Sequence, residues 1–198
     1  MSAPNLSIVS EAPVLYQTKK KRVMTLERFR VQYRKREDGF KYEWNNGIIE
    51  KTPTTMSRAQ FYIFLNLNRL FCLTNASKEG GGLGQELEVL TSPTQIRKPD
   101  IAYLSYQEAI DEEEPIPKFV IEIISSSDNI NRVNIKVEEY LKAGVQIIWH
   151  IFPSSKTVHI YQTPNNMTIC KDGDICSAEP VILGFVISVN NIFKRAKP

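Results

Sequence analysis

Two carboxylates in this chain stand where carboxylates are expensive. Glu122 lies in the middle of Phe119-Val120-Ile121-Glu122-Ile123-Ile124, the most apolar strand-like run of the sequence. Read as a strand, Phe119, Ile121 and Ile123 share one face, and Val120, Glu122 and Ile124 share the other. An ionised, unpaired carboxylate inside costs several kcal/mol, so it must be paired, protonated or bound to a cation. Asp100 opens a second apolar stretch, Ile101-Ala102-Tyr103-Leu104, directly after Pro99. Proline suits the first residue of a strand, because it cannot donate to a central ladder. Lys136 is the third member. On a helix it lies about 60° from Val133 and about 40° from Tyr140. It therefore borders the buried stripe and can reach inward along the sheet face.

An aspartate, a glutamate and a lysine converging on one cleft fit metal-dependent phosphodiester hydrolysis. Carboxylate oxygens hold a hard divalent cation. The cation polarises the phosphoryl group and acidifies a bound water. The lysine orients that water or stabilises charge on the phosphate. Each residue also admits a structural role. Asp100 could cap a turn or pair with Arg97 or Lys98. Glu122 could form a buried salt bridge with Lys136. Lys136 could pair with Glu138 or Glu139 on the helix surface.

The elements that must position these groups are legible. Helices are expected from Thr25 to about Arg36, over 57–73 with Ser57 as cap, and over 131–143 with Gly144 as stop. The last carries Val133, Val137, Tyr140 and Leu141 as its buried stripe. Phe40 to Glu50 reads as a hairpin around Asn46-Gly47, the strong two-residue turn signal. In it Phe40, Tyr42 and Trp44 share a face, so Glu43 points away from them. Strands are expected at 83–90, 96–104, 119–124, 145–152 and 157–162, then a hairpin around Asp172-Gly173 and a strand near 181–189. Ser77 to Gly84 reads as a loop. Its glycine run lacks the Gly-Lys-Ser/Thr of a phosphate loop. The order of elements gives a mixed α/β sheet rather than a regular βαβ series.

Composition narrows the class. The chain has 198 residues, 42% hydrophobic and 24% charged, which excludes wholesale disorder, collagen and coiled coil. The length suits one domain. Residues 1–22 read as a flexible basic arm ending Lys19-Lys20-Lys21-Arg22, either solvated or touching phosphate, and 23–198 as a single domain. Neither a transmembrane segment nor a secretory signal is visible. Three cysteines at unhelpful spacings suit neither a disulfide framework nor a zinc site. His150 and His159, in neighbouring strands, lack the cysteine spacing that zinc would need. A cytoplasmic, reducing location is expected. The net charge of +3 is compatible with nucleic acid without arguing for it.

A linked set of residues resembles the Uma family of restriction-endonuclease-like proteins. It comprises Lys98-Pro99-Asp100-Ile101, Val120-Ile121-Glu122-Ile123-Ile124-Ser125, Ser127-Asp128, Lys136-x-x-x-Tyr140, Ala143-Gly144-Val145 and Trp149. Tyr42-Glu43 with Asn46-Gly47 resembles that family's early hairpin, and the likeness spans roughly residues 24–193. It implies the PD-(D/E)xK nuclease superfamily, whose restriction-endonuclease-like core is a central mixed β-sheet flanked by helices. It implies Asp100 and Glu122 as metal ligands, Glu43 as an additional carboxylate completing the site, and Lys136 as the catalytic lysine. Tyr140 would orient Lys136 or stack near substrate. Mg²⁺ or Mn²⁺ is the implied cofactor, and nucleic acid, DNA foremost, the implied partner. A homodimer is compatible, since cutting both strands usually takes two sites.

Two departures from pattern stand out. Ile124 occupies the place where the superfamily usually has lysine, and the resemblance implies that the lysine has moved to the following helix, where Lys136 fits. Gln60 stands near where many relatives carry histidine. The displaced lysine and low net charge motivate a competing reading, a nuclease-fold module that binds or assembles without turnover. A third is a subunit that cleaves only within a larger complex.

Overall fold

The computed structural model describes residues 23–54, 56–111, 114–125 and 128–195. The arm expected over 1–22 lies outside the described residues. In chain order the elements are α1 (Leu26–Tyr33), β1 (Phe40–Asn45), β2 (Ile48–Pro53), α2 (Arg58–Phe71), α3 (Asn75–Lys78) and β3 (Gly82–Gly84). There follow β4 (Val89–Ser92), β5 (Gln95–Arg97), β6 (Ile101–Leu104), α4 (Tyr106–Ile110), β7 (Phe119–Ile123) and α5 (Ile130–Ala143). The remainder is β8 (Ile147–Phe152), β9 (Thr157–Thr163), β10 (Asn166–Lys171), β11 (Ile175–Ser177), β12 (Val186–Ser188) and α6 (Val189–Ile192).

A six-stranded mixed sheet, ordered β10-β9-β8-β7-β6-β3, forms the centre. Among the described residues only β7 and β8 run parallel, and α5 makes the crossover that a parallel pair requires. The apolar alternation of β7 sorts two cores. Phe119, Ile121 and Ile123 pack with Ile63, Leu67 and Phe71 of α2 and Val189 and Ile192 of α6. Val120, on the opposite face, packs with Val137 and Tyr140 of α5. Each fully buried large apolar side chain contributes roughly 1.5–3 kcal/mol, so both faces of β7 are strongly committed. A second, antiparallel sheet, β2-β1-β5-β4, packs Tyr42, Trp44 and Ile96 against Phe29 of α1.

Local signals act as expected at several ends. Asn46 (φ 49°) and Gly47 (φ 79°) make the β1–β2 turn, which needs two residues that tolerate positive φ. Ser57 and Gln60 cap α2 reciprocally: Ser57 Oγ accepts from the Gln60 N–H (3.2 Å), and Gln60 Oε1 accepts from the Ser57 N–H (2.7 Å). Gly144, at φ 108°, ends α5 in the left-handed conformation.

Other boundaries differ from expectation. α1 stops at Tyr33, and beyond it Arg36 is drawn onto Asp38 (2.6 Å) and the rings of Tyr33 and Tyr42. The strand expected over 83–90 is two strands in different sheets, β3 and β4, parted near Glu86 at φ 52°. The strand over 96–104 likewise breaks at Lys98-Pro99-Asp100, where the chain leaves one sheet for the other. Pro99 has no N–H to continue a ladder. Within the expected loop 77–84, α3 reaches Lys78 and β3 forms an edge strand. The turn at Asp172-Gly173 closes no hairpin, since β10 pairs with β9 and β11 with β12. The last strand is only Val186–Ser188, because Ser188 caps α6 through the Asn191 N–H.

Candidate active-site cleft

The break at Pro99 sets the site. Asp100 sits just ahead of β6, whose Ile101 is paired with Ile121 of β7, so Asp100 lies beside Glu122 at the next register position. Its side chain is tied to that strand, because Asp100 Oδ2 accepts the Ile123 N–H at 2.7 Å. Asp100 Oδ1 takes the ammonium of Lys41 at 2.8 Å. The partner of Asp100 is therefore Lys41, not Arg97 or Lys98. Lys41 also donates to the Lys98 carbonyl at 3.2 Å, clipping the β1 hairpin to the crossing between sheets.

Glu122 faces α5, as the alternation of β7 requires, and is only 5% exposed. α5 brings two donors to one of its oxygens: Tyr140 Oη at 2.8 Å and Lys136 Nζ at 3.3 Å, both on Oε1. The pair one helical turn apart thus straddles the carboxylate, since residues i and i+4 share a face. Lys136 does not pair with Glu138 or Glu139. Its second partner is Glu43 Oε1, at 3.1 Å.

Glu43 points away from the aromatic face of β1, into the same cleft. Its Oε1 also accepts the Lys98 N–H at 2.8 Å, and Oε2 lies 3.5 Å from Arg97 Nη1. Arg97, 2% exposed, is a hub rather than a neighbour of Asp100. It reaches Glu50 at 2.9 Å and Glu139 at 2.7 Å, so β5, β2 and α5 are joined through one guanidinium.

Charge balance follows from this packing. Burial pushes the Glu122 carboxyl up, and Asp100 and Glu43 add to the push against the opposing pull of Lys136 and Lys41. Burial also acts to raise Glu43, but Lys136, Arg97, Lys41 and the Lys98 N–H outweigh it and hold Glu43 below its ordinary value. Burial opposes the charged form of Lys136, yet Glu122 and Glu43 raise it. Lys41 is raised in the same way by Asp100, Glu122 and Glu43 against burial. Both lysines are therefore firmly cationic at neutral pH.

These groups line a cleft of about 1030 Å³, with the exposed Lys51 and Arg132 at its mouth. Tyr140 stands behind Glu122 rather than on the cleft wall. Of the residues singled out from sequence, Glu43, Asp100, Glu122 and Lys136 share this space. Lys41 was missed, though its signal was present: it is two residues from Glu43 on a strand and so must share its face. The Arg97 hub had no such signal, because its partners are distant in sequence. His150 was weighed only with zinc; it is paired with His159 on one side and Glu122 on the other.

The donor set suits a hard divalent cation. Asp100 and Glu122 are oxygen donors on adjacent strands at an open cleft, and Mg²⁺ is commonly held by one or two carboxylates plus water and phosphate oxygens. Glu122 Oε2 accepts no hydrogen bond among the described residues. As arranged, no three His, Cys, Asp or Glu side chains among the described residues form a ready ligand cluster. Glu43 is engaged by Lys136, Arg97 and Lys98 instead.

This architecture is that of a known class. A solved structure described as a putative nuclease belonging to DUF820 from Anabaena variabilis ATCC 29413 shares the fold, with a TM-score of 0.66 at 19% identity. The match covers 77% of this chain and 89% of that one. In sequence, residues 26–190 match the Uma2 family, described as "Putative restriction endonuclease", and the chain belongs to that family. The resemblance drawn from the Asp100, Glu122 and Lys136 motifs is thereby borne out. No curated protein matches the sequence. No helix among the described residues is long and apolar enough to cross a membrane.

Proposed function

We propose that this protein is a Mg²⁺- or Mn²⁺-dependent nuclease that hydrolyses phosphodiester bonds of nucleic acid, DNA foremost. The observation that carries the reading is Glu122, buried beside Asp100 and met by Lys136 from α5. A carboxylate kept inside at such cost, with a lysine on it and a cleft before it, is what phosphoryl chemistry needs and what packing alone would avoid.

Asp100 and Glu122 would hold the cation, with Glu43 as the third carboxylate on the same cleft. When bound, the cation supplies Lewis-acid polarisation of the phosphoryl oxygen and acidifies a nearby water. Lys136 supplies a fixed positive charge for the phosphate's developing negative charge. Glu43 and Glu122 hold that ammonium in place, and Tyr140 fixes Glu122. Lys51 and Arg132 offer backbone-phosphate contacts at the mouth, which carry affinity without sequence preference.

One observation favours a second reading, a catalytically inactive module of the same fold. Lys41 and Lys136 already neutralise Asp100 and Glu122. Calorimetric titration of Mn²⁺ into wild type and Asp100→Asn separates the two. Binding that Asp100→Asn abolishes supports the nuclease, and plasmid cleavage should then fall more than about a hundredfold in that variant. Two folded proteins that both ignore Mn²⁺, with or without DNA, would favour the inactive module.

A further inference from the structure

His150 is a polar group that the fold buries and leaves unsatisfied. It has no exposed surface, and neither Nδ1 nor Nε2 has a hydrogen-bond partner among the described residues. Buried histidines ordinarily pair at least one ring nitrogen, because an orphaned buried donor or acceptor keeps its full desolvation penalty. His150 is not remote from the carboxylates. It lines the same cleft as Asp100 and Glu122. β8 places it directly opposite Glu122, while Asp100 flanks Glu122 from the other side. Asp100, Glu122 and His150 thus form one row from β8 across β7 to the residue that precedes β6. Strand spacing near 4.8 Å puts the outer members about 10 Å apart at the backbone, within the reach of converging side chains.

We infer that His150 is a nitrogen ligand to the cation that Asp100 and Glu122 bind, giving a mixed oxygen–nitrogen site that takes Mn²⁺ in preference to Mg²⁺. The inference rests on the metal-dependent reading above. A neutral imidazole has a lone pair to offer a cation. Packing restricts where the ring can go: its centroid is 5.0 Å from that of Tyr161 and 6.4 Å from that of Phe152. Ligation requires the carboxylates to turn from their present partners. Asp100 is drawn to Lys41, and Glu122 to Lys136 and Tyr140, which is why the row is not a ready ligand cluster. A dication competes with those ammonium groups for the same oxygens. Imidazole adds little for Mg²⁺, which demands oxygen, but favours Mn²⁺ and later transition metals.

The test is pulsed electron paramagnetic resonance of Mn²⁺ bound to wild-type protein labelled with ¹⁵N-histidine. The chain has two histidines, so His159→Gln serves as the control. Directly coordinated histidine nitrogen should appear in wild type and His159→Gln and vanish in His150→Leu. Calorimetry should show His150→Leu weakening Mn²⁺ by about tenfold or more, with Mg²⁺ little changed. Mn²⁺ that binds in an Asp100-dependent way without histidine coupling would overturn this inference and leave the nuclease reading intact. Absence of Mn²⁺ binding to wild type, with and without DNA, would remove both. The wild-type spectrum decides the matter even if His150→Leu folds poorly.

Discussion

Lys136 Nζ lies 3.3 Å from Glu122 Oε1 and so ties helix α5 to the carboxylate at the centre of the sheet. The same ammonium is 3.1 Å from Glu43 Oε1, so one cation serves two buried anions from different sheets. Removing it leaves Glu122 with Tyr140 as its direct partner, and Glu43 with Arg97 and the Lys98 N–H. Lys136→Met should destabilise by about 3–5 kcal/mol, the range for breaking a buried pair. Urea unfolding checks this. A loss below about 1 kcal/mol would mean that the carboxylates become protonated or find other partners.

Tyr140→Phe removes a single hydroxyl. Its Oη donates to Glu122 Oε1 at 2.8 Å, while the ring remains in the core. The expected cost is about 1.5–3 kcal/mol, as for a hydrogen bond to a charged group, with no new cavity. If Tyr140 positions Glu122, the variant should also bind Mn²⁺ more weakly while its Mg²⁺/Mn²⁺ ratio stays constant. Unchanged stability would show that Glu122 is satisfied without it.

Arg97 should be a structural residue rather than a participant in chemistry. Its guanidinium joins Glu43, Glu50 and Glu139, and Glu139 also accepts from Gln95 at 2.7 Å. Lysine cannot reproduce that fork. Arg97→Lys should lower thermal stability by several degrees while Mn²⁺ affinity falls less than about tenfold. A variant of unchanged melting temperature that no longer binds metal would reverse the assignment.

Acid should unfold the protein partly through His150. Its value is pushed down to about 3 by burial, with His159 and Lys136 adding and Asp100 opposing. The unfolded value is near 6.5. Between those limits the unfolded chain takes up a proton that the native imidazole refuses, so stability rises with pH across that window. It is fully present above about 6.5 and is lost as pH falls, at up to about 1.4 kcal/mol per pH unit. Urea midpoints in chelator at pH 7 and 5 should therefore differ more for wild type than for His150→Leu. Equal shifts in the two proteins would place the acid sensitivity on other groups.

Much of the site was legible in sequence because its signals are local. Glu122 announced itself by interrupting an apolar strand, Asp100 by following the proline that opens one, and Lys136 by its angle to Val133 and Tyr140. The Asn46-Gly47 turn and the alternation around it were enough to turn Glu43 from the aromatic face. Those rules depend only on backbone periodicity, which neighbours in sequence carry.

What only the tertiary structure decided concerns pairs that no periodicity relates. Lys41 meets Asp100, Arg97 gathers Glu43, Glu50 and Glu139, and His150 falls into line with Glu122 because β7 and β8 run parallel in one particular register. The divided strands at 83–92 and 95–104 share that origin. Pro99 marked a break, but the destination of each half depended on which sheet could bury it. Register and sheet assignment come from the summed packing of distant faces, so they lie beyond any window of sequence.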